Sequence, residues 1–165
     1  MKKFHKYIRQ AKSLGALESK IIRAKSIVTA EWVRLKCRFG CDGYGRRLTC
    51  PPCSPAPEET RRMLKEYRHA LLVHGDEYAD IQKIVSALER EIFLDGFHKA
   101  FALASGPCQL CERCGEFCKY PEKARPAMEA CGIDVYTTAR NNGFPIQVVR
   151  KRDCGGDYYG VVLIE

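Results

Sequence analysis

Residues 69–105 read HALLVHGDEYADIQKIVSALEREIFLDGFHKAFALAS, a stretch whose apolar spacing changes period twice. His69 to His74 is a short apolar run, the mark of a buried strand. From residue 78 to about 95, Ile81, Ile84, Val85, Leu88 and Ile92 recur at helical spacing and make one stripe. Lys99 to Ser105 (KAFALAS) returns to strand character. Strand, helix, strand in that order predicts a parallel pair joined by a right-handed crossover.

Toward the N-terminus, Pro57, Glu58 and Glu59 open a helix whose apolar side is Met63, Leu64 and Tyr67, since proline and acids suit a first turn. Residues 2 to about 17 carry Phe4, Ile8, Ala11 and Leu14 at helical spacing. Ile21 to Leu35, with Ile27, Val28, Trp32 and Val33, reads as an extended segment. Toward the C-terminus, Pro121 to Ala130 and Asp134 to Arg140 read as short helices parted by Gly132. Phe144 to Arg150 and Tyr158 to Ile164 read as strands joined by the turn DCGGD at 153–157, a closing hairpin. The expected fold is α/β or α+β, an approximately four-stranded mixed sheet flanked by helices. It is expected to form a single domain, residues 1–165, with cysteine-rich loops at 37–57 and 106–121.

The chain has 165 residues, 45 % of them apolar, enough for a real core and too many for a disordered chain. No apolar run approaches the roughly 18 residues of a membrane span, and the start, MKKFHKYIRQAKSLGALES, has charges where a signal peptide would be apolar. These features predict a cytoplasmic protein that enters no membrane. Ten cysteines in a reducing compartment are then expected to be metal ligands or catalytic thiols, not disulfides. Eight of them fall into two compact groups.

The second group, Cys108, Cys111, Cys114 and Cys118 in CQLCERCGEFC, has the CxxCxxCxxxC spacing with which bacterial ferredoxins hold [4Fe-4S] clusters, and Pro121 follows close behind. Thiols two residues apart in a tight loop converge on one body while the loop's amides turn inward. Zinc is more commonly held by two separated pairs. The first group, Cys37, Cys41, Cys50 and Cys53 in CRFGCDGYGRRLTCPPC, is two pairs, compatible with a second [4Fe-4S] cluster or with zinc. Its glycines permit close backbone approach, and its Cys-Pro step suits the shielding of cluster sulfurs. Two ligand assignments are open: each group of four holds its own site, or Cys118 completes the first, as in two-cluster ferredoxins, leaving Cys53, Cys131 or Cys154 to complete the other.

The runs WVRLKCRFGCDGYGRRLTCPP, GPCQLCERC and YPEKARPAMEACGIDVY resemble a family of predicted metal-binding proteins, domain of unknown function 2284. The resemblance runs from about Ile27 to the C-terminus and includes both cysteine blocks. It implies metal binding in a small cytoplasmic protein of bacteria or archaea, without an assigned activity. In similar proteins the position of Cys53 is often another residue, so the resemblance does not require Cys53 as an essential ligand. Three protein ligands, Cys37, Cys41 and Cys50, would leave an open iron, a Lewis acid. Tyr44, Arg46 and Arg47 stand near to line a site for an anion.

The remaining chemistry-bearing residues have plainer readings. His74 and Asp76 follow a strand end, where a histidine is usually structural. His5, His69 and His98 form no zinc pair. Cys131 follows an apolar face and reads as a buried small residue, whereas Cys154 sits in an exposed turn. Basic residues such as Lys2, Lys3, Lys6, Lys119 and Lys123 are interleaved with acids, and no nucleic-acid module or phosphate loop is present.

Three functions remain open: an iron-sulfur protein with one or two [4Fe-4S] clusters, serving electron transfer with a redox partner protein or acting as accessory to a redox enzyme; an enzyme whose open iron takes a small anionic or sulfur-containing substrate; and a zinc-stabilised binding module. The formal charge of +8 counts the thiols as neutral. Two four-thiolate centres at about −2 each would bring it to about +4, so part of the basicity complements the cysteines.

Overall fold

The computed structural model describes residues 2–151 and 154–165. Its helices are α1 (His5–Ser13), α2 (Glu31–Gly40), α3 (Pro57–Leu64), α4 (Ile81–Leu94) and α5 (Val135–Asn141); its strands are β1 (Glu18–Arg23), β2 (His69–Gly75), β3 (Phe101–Leu103) and β4 (Tyr158–Leu163). The helix ends follow local chemistry. Asp80 caps α4 by accepting from the Lys83 N–H at 3.0 Å, and Asp134 caps α5 by accepting from the Thr137 N–H at 3.0 Å. Pro57 starts α3, and the Glu59 carboxylate accepts from the Ala56 N–H at 2.7 Å.

The strands form one sheet in the order β1-β2-β4-β3 with every pairing antiparallel, an α+β fold. The expected strand-helix-strand unit exists, and β2 and β3 do run parallel, but they are not neighbours. The C-terminal strand β4 inserts between them, antiparallel to both. A mixed sheet therefore becomes a wholly antiparallel one, and the closing hairpin is absent among the described residues. Phe144 to Arg150 forms no strand: both flanks of β4 are occupied, leaving no edge beside it. The DCGGD turn begins at Asp153, outside the described residues.

Two further segments depart from expectation. The N-terminal strand is Glu18–Arg23, and Glu31 onward is helix, so the segment read as extended is mostly not. Residues 121–130 are turns and irregular backbone ending in a 3-10 turn at Glu129–Cys131, because Pro126, midway along the expected helix, lacks the N–H that a helix interior needs.

Both faces of the sheet are covered. Leu71 and Val73 of β2 and Val162 of β4 point into a core with Tyr7 of α1 and Ile81, Ile84, Val85, Leu88 and Ile92 of α4. Burying each such α4 side chain contributes roughly 1.5–3 kcal/mol. Leu72, Val161 and Leu163 face the other way, against Leu64, Met128, Ile133 and Ala139. Gly160 permits the close approach of α4, since a methyl there would lie 2.7 Å from Ile81 Cγ2 and Val85 Cγ1. No helix among the described residues is long and apolar enough to cross a membrane.

Candidate metal centre

The first cysteine group begins on a helix. Cys37 and Arg34, three residues apart, share the inner face of α2. That face is fastened to the 3-10 turn: Arg34 Nη1 donates to the carbonyls of Ala130 (2.6 Å) and Pro55 (3.3 Å) and to Ser54 Oγ (3.0 Å). Ser54 Oγ donates to the same Ala130 carbonyl at 2.6 Å, and Thr60 Oγ1 to that of Cys131 at 2.7 Å. Cys37 Sγ lies 3.8 Å from the Glu129 carbonyl. Helices α2 and α3 and the chain after Cys53 are thus gathered onto three consecutive carbonyls.

Cys41, Cys50 and Cys53 follow on a loop that holds its own shape. Its backbone bonds include Gly45 N to Pro51 O (2.7 Å), Arg46 N to Gly43 O (3.1 Å) and Cys50 N to Arg47 O (3.0 Å). Gly43 lies at its centre, where a methyl group would stand 3.3 Å from Cys50 Sγ, 3.5 Å from Cys41 Sγ and 3.1 Å from Pro107 Cβ. The last contact is to the second group.

That group follows β3, which delivers the chain to Cys108 as expected, although the strand itself is only Phe101–Leu103. Cys108, Cys111, Cys114 and Cys118 lie on irregular backbone. Among the described residues, no N–H of residues 105–122 donates to a backbone carbonyl or a side chain. The two loops are tied together by Arg47, whose Nη1 donates to the Cys111 carbonyl at 2.6 Å. Between them opens a cleft of about 860 Å³ walled by Gly43, Arg46 and Arg47 from one loop and by Cys108, Cys111 and Cys114 from the other.

The thiols influence one another. Burial pushes the Cys50 thiol up, and charge on Cys41, Cys37 or Cys108 would push it further. Cys37 is raised by burial and then by Cys41 and Glu129, against the lowering effect of Arg34. Cys111 is raised by desolvation and by Cys114 and Cys108 beside it. Cys53 and Cys118 are exposed. Among the described residues, no three His, Cys, Asp or Glu side chains stand close enough together to hold a single metal ion.

Two features nevertheless fit a thiolate-bound inorganic group. Eight soft donors lie on the end of α2 and the two adjoining loops, the chemistry of zinc and of iron-sulfur clusters. A second fit is the run of unpaired amides at 105–122, which offers donors to sulfide, together with the space at Gly43 between two sulfurs that any side chain would fill.

His74 is structural. Its ring pairs with Asp157 at 2.8 Å and stacks on Tyr159 at 4.7 Å, pinning the segment before β4 to the end of β2. Cys131 is buried and Cys154 exposed, as expected. Arg34, Ser54, Thr60 and Glu129 were not singled out from sequence; only the spacing of Arg34 to Cys37 could have marked one of them. Glu129 Oε2 is buried without a hydrogen-bond partner among the described residues, and burial pushes that carboxyl up.

Fold and site together define a thiol-rich metal-binding protein of the α+β class. The chain belongs to the predicted metal-binding protein family DUF2284, whose family model matches residues 20–164. No curated protein and no solved structure matches it significantly.

Proposed function

We propose that this chain is an iron-sulfur protein of the reducing cytoplasm that holds one or two [4Fe-4S] clusters and exchanges single electrons with a partner protein. The observation that carries the reading is the placement of the CxxCxxCxxxC run. Cys108 to Cys118 lie on backbone free of helix and strand, with unpaired amides available to cluster sulfides. A bound cluster would supply a one-electron couple. The chain's own part is to hold the thiolates, limit water at Cys50 and Cys108, and present donors that favour the more negative reduced state.

Helix α2 supports a protein partner. Its inner side carries Cys37, and at about 100° per residue Trp32, Leu35 and Phe39 fall on the opposite side, with 47 %, 57 % and 78 % of their surface exposed. Large apolar side chains in a cluster on a monomer's surface mark interaction sites. Lys36 and Arg38 flank the stripe, so the complementary surface is acidic with an apolar centre.

The test is anaerobic purification followed by dithionite titration. The reading expects a broad visible absorption that bleaches on reduction and a paramagnetic reduced cluster. A colourless, zinc-containing chain with no reducible chromophore would overturn it.

A further inference from the structure

Gly43 is the point where the two cysteine groups meet. It is buried, and its missing side chain would touch Cys41 Sγ, Cys50 Sγ and Pro107 Cβ together. Pro107 precedes Cys108, so their Cα atoms are about 3.8 Å apart. The junction is also the driest place among the eight grouped thiols. Cys50 and Cys108 are each 5 % exposed, while the other six are exposed or half-buried. Arg47 closes it from the first loop onto the Cys111 carbonyl at 2.6 Å.

From this geometry we propose that the first centre crosses the group boundary. Its ligands are Cys37, Cys41, Cys50 and Cys108; Cys53 is a free thiol, and Cys111, Cys114 and Cys118 serve the second centre. The assignment rests on metal-thiolate binding but not on which metal is bound. It differs from a division into two self-contained fours, in which Cys53 is essential and Cys108 belongs wholly to the second site. The cleft, whose walls come from both loops, agrees with it. Each thiol that binds gives its proton to solvent, and no redox change is required.

The experiment uses the full chain carrying Cys111→Ala, Cys114→Ala and Cys118→Ala, purified anaerobically and analysed for metal and sulfide. The proposal expects this variant to keep one centre. Adding Cys53→Ala should leave its metal content unchanged, and adding Cys108→Ala should lower it at least tenfold. The reverse pattern overturns the assignment in favour of separate fours. Should the multiple variants fail to fold, iodoacetamide labelling of the native protein before and after chelation, read peptide by peptide, decides the same question. Cys108 should be protected only while metal is bound and Cys53 labelled in both states; metal-dependent protection of Cys53 contradicts the proposal. Zinc in place of iron and sulfide would overturn the electron-transfer reading while leaving these protection patterns to stand or fall separately.

Discussion

Gly43 is the residue on which the site turns, because two sulfurs and the neighbouring loop crowd the space where its side chain would be. Substituting Gly43→Ala should cost the metal-bound state about 1–3 kcal/mol through overpacking. Metal content after gel filtration should fall several-fold while the helical circular dichroism of the metal-free chain stays unchanged. Cys131 shows the opposite case, a cysteine outside both groups. Burial pushes its thiol up to about 12, so the folded metal-free chain keeps a proton that the unfolded chain releases near ~8.5. The sign follows: stability is fully present below the unfolded value and declines as pH rises from there toward about 12. Urea midpoints of the metal-free protein should drop across that window, less steeply for Cys131→Ala.

Among the elements, the two metal loops differ in what holds them. The first is braced by its own backbone bonds and by Arg34, while residues 105–122 donate none among the described residues. Chelation should therefore speed amide exchange at 105–122 far more than at 41–54, as followed by hydrogen-exchange mass spectrometry. Helix α2 carries a second prediction at this scale. With Leu35→Glu and Phe39→Glu together, electron transfer to an acidic ferredoxin should slow at least tenfold with the chain's own spectrum unaltered, and an unchanged rate would remove that face from the account. The same helix shows what defeated sequence reading. Val33 and Cys37 face inward while Trp32, Leu35 and Phe39 face outward, so no single apolar stripe appears. Helices α3, α4 and α5 were legible because capping or first-turn residues and one-sided stripes agree. Strand β1, with Glu18, Ser19 and Lys20, is a polar edge strand whose partner lies some fifty residues on, and nothing local announces it.

For the whole molecule, metal binding was legible in the two cysteine groups, but their meeting was not. It arises where Pro107, four residues past β3, reaches the loop around Gly43, and β3 itself is held in the sheet by β4, which inserts between β2 and β3. Insertion of the last strand is a long-range event with no signature in the strand-helix-strand run itself. Two of the chain's cations lie at the cysteine loops, Arg47 donating to the Cys111 carbonyl of the second and Arg34 to the Ala130 carbonyl behind the first. The most direct measurement of the central claim is the iron and acid-labile sulfide content of the anaerobically purified chain. The account predicts equal amounts of both, about four of each per cluster, and stoichiometric zinc with no sulfide would contradict it.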